Sequence, residues 1–537
     1  MTKIKEKNKL PFPKEKILQD YRLAYKSRQA SLIGRREVLS GKAKFGIFGD
    51  GKEVAQLAIS HAFKKGDWRS GYYRDQTWLL GLGVLTFEQF FAQLYAHADV
   101  DFEPATGGRA MNAHFASRYL NPDGSWKDQT QLYNISADVS PTGSQMPRLV
   151  GLAFASRLYR ESKDLKEFDT FSNNGNEVAW GTIGNASTAE GMFWESVNAI
   201  GVLKAPAVIT IYDDGFGISV PNKFQMVKEN IGEIISGFQR ATKPDEERDR
   251  GYDIYTVRAW DYPALLDTYW AAAKTAREFH IPALVHVTEV TQPQGHSTSG
   301  SHERYKSKER LAWEREFDGN LKMREWMLEK GIVDDEALTA LEKEDRRAVE
   351  NSRKQAWQSF QSPILAERDE VINLLATLRE EAPVKEEIKD IQTKLIGKPT
   401  AHRRDQHAAV HAALRIVRQE SASAREKLIA WKQAQNLRNE PRFSSHLNSQ
   451  TENSILKVEA VPPIITEKSP KIQAFDLLNH AFDAIFARDS RVIAFGEDVG
   501  MLGAVNQGFH DLQQKYGTLR VMDTGIREVT ILGQAIG

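Results

Sequence analysis

Residues Gly181 to Ser219, GTIGNASTAEGMFWESVNAIGVLKAPAVITIYDDGFGIS, constrain this chain more than any other stretch. Two short apolar runs flank a helical run, and polar groups stand at both breaks. The first run, EVAWGTIG from Glu177 to Gly184, is apolar and β-branched, so it reads as a strand, and it breaks at a Gly-Asn pair where a tight turn costs little. Ser187 followed three residues later by Glu190 fits a capping box, and Phe193, Val197 and Ile200 recur at helical spacing. A helix should therefore begin directly after Asn185. AVITIY, Ala207 to Tyr212, supplies the second buried strand. A parallel strand, crossover helix and strand place both strand ends on one rim of a sheet, where α/β proteins bind ligands. Asn185 and the Asp213-Asp214 pair would meet on that rim, as a site holding a diphosphate through a divalent metal requires. The alternative is an ordinary βαβ unit in which Asn and Asp serve turns.

The segment resembles the thiamine diphosphate motif, in which Gly-Asp-Gly or Gly-Glu-Gly opens a stretch of about this length that closes on Asn-Asn-Gly-Tyr. Asn185 stands where the family has its carboxylate, and Asp214 where it has its metal-binding asparagine. The two ligands are exchanged and their net charge is unchanged. Mg2+ takes hard oxygen ligands and few carboxylates, which Asn185, Asp214 and the carbonyl of Phe216 supply; the resemblance also turns Gly184 and Ala186 toward the cofactor.

Four further segments match the same family in the same order. YYRD, Tyr72 to Asp75, resembles its Tyr-Arg element, which implies that Tyr73 and Arg74 bind the cofactor, Arg74 through planar, bidentate recognition of the diphosphate. GGRAMNAHF, Gly107 to Phe115, resembles the Gly-rich loop ending in a histidine beside the reactive ring, and makes His114 the first catalytic candidate. SPTGSQMP, Ser140 to Pro147, resembles the segment lying against the aminopyrimidine and brings in Ser140 and Thr142. GHSTS, Gly295 to Ser299, resembles the His-Ser loop facing the active-site channel; His296 is the second catalytic candidate and a cofactor contact, and Ser297 matches a serine phosphorylated in some relatives. The family is the decarboxylating, thiamine-dependent first component of 2-oxo acid dehydrogenase complexes. The likeness is to its α subunit and covers about residues 20 to 380.

Two other patterns are set aside. Gly49-Asp50-Gly51 spells the usual metal triplet, but about thirty residues on the chain reads TWLLGLGV, with no asparagine-bearing strand end, so the triplet reads as a turn opening a helix from Glu53. His407 and His411 lie four apart, yet Ala408 stands where a zinc-protease motif needs glutamate, which leaves a solvated helix face. Charge narrows the partners further. Lys plus Arg and Asp plus Glu both number 72, which gives no electrostatic case for nucleic acid or an anionic membrane. Cysteine is absent, so disulfides and thiolate metal sites are excluded. The start, MTKIKEKNKLPFPKEK, is charged and has no apolar h-region, and no apolar run approaches membrane-spanning length, which makes the cytoplasm the default expectation.

Beyond His302 the chain turns to charge-rich helical runs, in which Trp313, Phe317, Leu321, Met323 and Trp326 should form one buried stripe. Asn439 to Pro470 is polar and proline-bearing and reads as a linker. A new α/β unit then begins, with a helix marked by Ile472, Phe475, Leu478 and Phe482 and a strand in RVIAFGED, Arg491 to Asp498. It resembles the opening of the same family's β subunit. RVMDTGIREVTILGQAIG resembles the strand and helix that carry its catalytic glutamate, here Glu528, with Gly525 where the family has proline. In the family this carboxylate pairs with a pyrimidine nitrogen and helps remove the thiazolium proton.

These readings combine into an α/β protein with a thiamin diphosphate-binding fold, a largely parallel sheet flanked by helices, then a helical segment and a partial second α/β domain. The expected divisions are 1–380 (α-subunit-like, diphosphate-binding), 381–440 (charged helices), 441–470 (linker) and 471–537 (the start of a pyrimidine-binding domain). A pyrimidine domain needs roughly 150 residues, so the sequence reads as an α-β fusion cut within its β part, with apolar surface left exposed. The resemblance implies thiamine diphosphate and Mg2+ as cofactors, and oxidative decarboxylation of a 2-oxo acid with acyl transfer to a lipoyl group on an acyltransferase component. It also implies a homodimer or pairing with a β-subunit-like chain. The GHSTS loop favours a branched-chain substrate, 3-methyl-2-oxobutanoate. A pyruvate or acetoin dehydrogenase component, or a non-catalytic half-site for assembly, stays open.

Overall fold

The computed structural model describes residues 10–241, 250–420 and 423–537; the first nine residues of the N-terminal stretch read above lie outside them. Its centre is a parallel sheet whose strands, in chain order, are β1 (Trp68–Ser70), β2 (Asn134–Ile135), β3 (Ala179–Gly184), β4 (Ala207–Tyr212), β5 (Asp253–Arg258) and β6 (Ala283–Thr288). They lie side by side as β2-β1-β3-β4-β6-β5. The β3–β4 pair runs in register from Ala179 opposite Ala207 to Gly184 opposite Tyr212, so the two strands end level with one another.

Every residue of β4 is buried, as a strand covered on both faces demands. On one face Trp180, Val208, Val285 and Val287 pack against the Glu53–Ala62 and Tyr262–Phe279 helices. On the other, Ile183, Ile209, Ile211 and Leu284 meet the Gln145–Glu161 and Gly191–Val202 helices. Phe193, Val197 and Ile200, the residues that marked the crossover helix, are fully buried there. At about 1.5–3 kcal/mol for each such side chain, they seat the helix on the sheet.

That helix starts later than its sequence pattern suggests. Asn185–Ala189 forms a tight 3-10 turn, the α-helix runs Gly191–Val202, and its N-cap, Glu190, makes no side-chain capping bond. The Ser187-Glu190 capping box is therefore not formed; Ser187 and Glu190 instead border the cavity described below. The strand read from Glu177 likewise begins at Ala179, because the Glu177 carboxylate turns back to accept the Ser172 hydroxyl. The stripe expected from Trp313 to Trp326 is split between two short helices, Lys308–Glu316 and Gly319–Glu329, in which Met323 and Met327 are buried while Leu321 is exposed.

A 47-residue helix, Asp335–Glu381, leads out of the sheet layer into a separate helical core, where Val371, Leu375, Val410, Leu428 and Trp431 are gathered. His411 is exposed on the Arg403–Ile416 helix as expected, but His407 is half-buried with its ring 5.4 Å from that of Trp431. The last helix of this layer runs Ser423–Ser444, into the stretch read as linker. After Pro470 come the helix Ala474–Arg488 and two short parallel strands, Ala494–Gly496 and Val521–Asp523, around Phe486, Leu512 and Val521. Ile472 precedes that helix, and the strand read from Arg491 is shorter than expected. The final helix, Glu528–Ile536, lies directly on Gln145–Glu161: Gly533 meets the Pro147 backbone so closely that any side chain there would overlap it. Thr530 Oγ1 donates to Glu195 Oε2 at 2.6 Å across the same contact. Met501, Val505, Ile526, Val529 and Leu532 of this unit are exposed.

Candidate functional site

The carboxyl ends of β1, β3, β4 and β6 open onto one cavity of about 320 Å³. Each strand delivers the segment that the sequence singled out. Tyr73 and Arg74 follow β1; Gly184, Asn185 and Ala186 close β3; Asp214 and Phe216 follow β4; His296 follows β6. Thr142 reaches the cavity from the loop before the Gln145–Glu161 helix. Nine of the predicted cofactor contacts thus share one cavity, at the sheet edge where parallel α/β folds bind ligands.

Asp75 holds the first of these segments in shape. Its carboxylate accepts from Thr182 Oγ1 at 2.6 Å, from the Tyr72 amide and from the buried Arg69, which ties the Tyr-Arg turn to both β1 and β3. Arg74 is arranged differently from the expectation of bidentate phosphate recognition. Its Nη1 donates to the Phe48 carbonyl at 2.6 Å, and its Nη2 donates to the His296 carbonyl at 2.8 Å and to His296 Nδ1 at 3.1 Å. Three of its five N–H groups therefore serve the protein. A guanidinium only donates, so His296 Nδ1 is the acceptor and the ring carries its proton on Nε2. Burial, reinforced by the positive charges of Arg74 and Lys52, pushes His296 down to about 4, so it is a neutral donor at physiological pH.

The metal-ligand candidates fit a hard cation. Asn185 is buried, and its amide Nδ2 donates to Asn222 Oδ1 at 2.6 Å, which leaves its Oδ1 without a hydrogen bond among the described residues. Asp214 accepts the Phe216 amide on Oδ1 at 3.1 Å, and its own carbonyl is clamped by Arg310 Nη2 at 2.8 Å. Its second carboxylate oxygen makes no hydrogen bond among the described residues. One carboxylate, one amide oxygen and one main-chain carbonyl on the cavity wall are a donor set of the kind Mg2+ takes, since it keeps few protein ligands. No group of three or more His, Cys, Asp and Glu placed to hold a metal occurs among the described residues. The neighbouring Asp213 is engaged elsewhere: burial acts to raise its carboxyl, but the bond from His286 Nε2 at 3.0 Å, the charge of that imidazole and the bonds from the Gly215 amide and Asn222 together hold the group below its ordinary value.

Three predicted residues stand outside the cavity. His114 is buried behind Tyr73, ring centroids 6.3 Å apart and nearly parallel. Its Nδ1 lies 3.2 Å from the Asn112 carbonyl, which fixes the proton there, so Nε2 accepts the Ser140 hydroxyl at 2.9 Å. Ser140 is itself exposed and joins the site only through this bond. Glu528 is exposed at the first turn of the last helix and does not line the cavity, because that helix is laid along Gln145–Glu161 by its Gly533 contact.

Lys52 and Gln292, which sequence reasoning passed over, also line it. Lys52, the N-cap of the Glu53–Ala62 helix, is buried with its Nζ 3.1 Å from Gln292 Oε1. Burial and the charge of Arg74 push the ammonium down to about 8 against the attraction of Asp214. The Gly49-Asp50-Gly51 triplet makes this placement. Gly51, at φ +88°, passes so close to the Thr291 carbonyl that no side chain fits, and Asp50 Oδ2 accepts the Gln294 amide at 2.9 Å. The signal was a lysine directly after Gly-Asp-Gly, at the cap of a largely buried helix.

The chain matches the family described as dehydrogenase E1 component over residues 21–364, and that described as transketolase, pyrimidine binding domain over residues 470–537. It is 27% identical over 298 residues to 2-oxoisovalerate dehydrogenase subunit alpha of Bacillus subtilis (strain 168), covering 55% of this chain and 77% of the relative. The mitochondrial 2-oxoisovalerate dehydrogenase subunit alpha 1 of Arabidopsis thaliana is 23% identical over 364 residues, 67% of this chain and 65% of the relative. The Homo sapiens mitochondrial subunit alpha of the same name is 24% identical over 350 residues, 64% of this chain and 67% of the relative. With a cavity built from four strand ends and both family matches in chain order, this chain belongs to the dehydrogenase E1 component family, the thiamine diphosphate-dependent 2-oxo acid dehydrogenases, with an α-subunit-like part and a pyrimidine-binding part joined in one polypeptide.

Proposed function

We propose that this chain catalyses the oxidative decarboxylation of a branched-chain 2-oxo acid, 3-methyl-2-oxobutanoate, and passes the acyl group to a lipoyl group on an acyltransferase component. The observation that carries the reading is the convergence of Asn185, Asp214, Arg74 and His296 on one cavity at the carboxyl edge of the sheet. Relatives named for 2-oxoisovalerate support the substrate class. On this reading residues 1–380 form the diphosphate-binding part, 381–440 a helical segment, 441–470 a linker, and 471–537 belong to a pyrimidine-binding part.

Asn185 Oδ1, the Asp214 carboxylate and the Phe216 carbonyl would hold Mg2+, and through it the diphosphate of the cofactor. Thiamine diphosphate, when bound, supplies the carbanion that adds to a keto carbon and accepts the electrons released as carbon dioxide leaves. The chain's own groups act around that chemistry. His296, neutral with its proton on Nε2, presents a donor to a substrate carboxylate or carbonyl. His114, with its proton on Nδ1, holds Ser140 and backs Tyr73. Glu528 lies outside this chain's own cavity, so the carboxylate that pairs with the pyrimidine comes from a second copy or a β-subunit-like chain.

Carbon dioxide release from 3-methyl-2-oxobutanoate, its two branched homologues, pyruvate and 2-oxoglutarate, with Mg2+, thiamine diphosphate and an artificial electron acceptor, tests the reading. The branched acids should give the highest kcat/KM. Preference for pyruvate would move the chain to its nearest rival. Cofactor binding without turnover would favour the half-site, which the exposed Glu528 specifically suggests.

A further inference from the structure

We propose that Lys52 is a diphosphate-binding residue, its ammonium taking a phosphate oxygen of the cofactor directly in a position that Arg74 leaves unserved. The inference rests on the cavity being the thiamine diphosphate site. Lys52 lines the same cavity as Asn185 and Asp214. It is 3% exposed, yet the one hydrogen bond of its ammonium among the described residues goes to a neutral acceptor, Gln292 Oε1 at 3.1 Å. A buried ammonium has three donors and is costly unless an anion faces it. Arg74, the other cation of the cavity, is bound on both Nη atoms by Phe48 and His296. It organises the loops, and the anion falls to the lysine.

The backbone is built for this placement. The turn at Gly49 to Gly51 touches two of the other cavity segments at once: Gly49 lies against the Arg74 carbonyl and Gly51 against the Thr291 carbonyl, each too close for a side chain. The Lys52 amide closes the turn on the Gly49 carbonyl at 3.3 Å, and Asp50 fastens it to Gln294. Lys52 therefore projects from a fixed point between the Tyr-Arg segment and the loop after β6. The lysine also balances charge. A diphosphate brings two to three negative charges, against which the proposed metal and Asp214 leave a net of about +1. A second cation beside Arg74 completes the neutralisation, so the cofactor should retain measurable affinity when the metal is removed.

The test is cofactor binding, read by tryptophan fluorescence and by the rise in melting temperature, on the full chain as wild type, Lys52→Gln and Lys52→Arg. Thiamine diphosphate and magnesium pyrophosphate are the probes, each with Mg2+, and thiamine diphosphate also with EDTA. Lys52→Gln should weaken both probes at least tenfold, about 1.4 kcal/mol, and abolish the residual binding in EDTA. Lys52→Arg should restore most of it. Folded Lys52→Gln with wild-type Kd for both probes would overturn the inference while leaving the cavity assignment intact. Wild type that binds neither probe would instead overturn the assignment. Should Lys52→Gln fail to fold, Lys52→Met is read with the same two probes, and a folded Lys52→Met protein with wild-type Kd for both would overturn the inference equally.

Discussion

Exchanging the two metal-ligand candidates tests the site most sharply, because one substitution changes charge at constant shape. In Asp214→Asn the side-chain oxygen can still accept the Phe216 amide, now 3.1 Å from Oδ1, and Arg310 still holds the main-chain carbonyl. The fold is kept and the single carboxylate of the ligand set is gone. Changes even to groups behind metal ligands cost 10–100-fold in affinity, so losing this one should weaken Mg2+ at least 30-fold, about 2 kcal/mol. Asn185→Asp acts in the opposite sense on charge but carries a structural penalty. Its new oxygen would face Asn222 Oδ1, to which Asn185 Nδ2 now donates at 2.6 Å. Asn222 can rotate only by giving up Asp213 Oδ1 at 3.3 Å and the Glu229 carbonyl at 3.2 Å. Two acceptors facing one another in a buried site cost about 1–3 kcal/mol. The double variant restores one carboxylate and one amide, so it should bind Mg2+ more tightly than Asp214→Asn alone, with a coupling of at least about 1 kcal/mol between the positions. Titrating Mg2+ at fixed thiamine diphosphate, followed by tryptophan fluorescence, measures all four proteins without requiring turnover. Strict additivity, or an Asp214→Asn protein with wild-type affinity, would refute the exchanged-ligand account.

The turn behind Lys52 makes a second target: Gly51→Ala must hold φ +88° and clear the Thr291 carbonyl, so it should cost about 2–5 kcal/mol and weaken cofactor binding, and an unchanged melting temperature would sink that view. Glu528→Gln should leave thiamine diphosphate binding within about threefold while lowering carbon dioxide release by roughly 10²-fold or more, as expected for loss of an acid-base group; full turnover would remove Glu528 from the chemistry. Stability should also fall in acid. His280 and His296 are both held down to about 4, chiefly by burial, so between pH 6.5 and 4 the unfolded chain binds protons that the folded chain does not. Their contribution is complete above pH 6.5 and is lost as pH falls through that window. A melting-temperature profile over pH 4–7 whose slope is unchanged in a His280→Gln, His296→Gln double variant would contradict this.

What could be read from the residues was whatever depends on local pattern, and what could not depends on which way a side chain turns in three dimensions. AVITIY is the whole of β4 because a strand buried on both faces must be a continuous apolar run with polar residues at its ends. The segments that line the cavity each follow a strand end, and parallel strands deliver their ends to one rim. The capping box failed for a physical reason: Ser187 and Glu190 sit beside a ligand cavity, where a tight 3-10 turn opens the rim that a full helical turn would close. Arg74 reads as a diphosphate contact from its Tyr-Arg element, yet its hydrogen bonds to Phe48 and His296 join residues 26 and 222 positions away, beyond any spacing rule. Lys52 escaped for the converse reason. The Gly-Asp-Gly triplet before it is set aside as a metal motif because no asparagine-bearing strand follows. Its function is instead to let backbone pass against backbone, which only glycine permits and which no motif records. The same logic separates Glu528 from the cavity. The residue type and its place at a helix start could be read directly, but the Gly533–Pro147 contact that lays this helix along Gln145–Glu161 is a tertiary fact. On the proposed reading, Glu528 and the metal-ligand candidates of one polypeptide are thereby held apart, and the centre would be completed between chains.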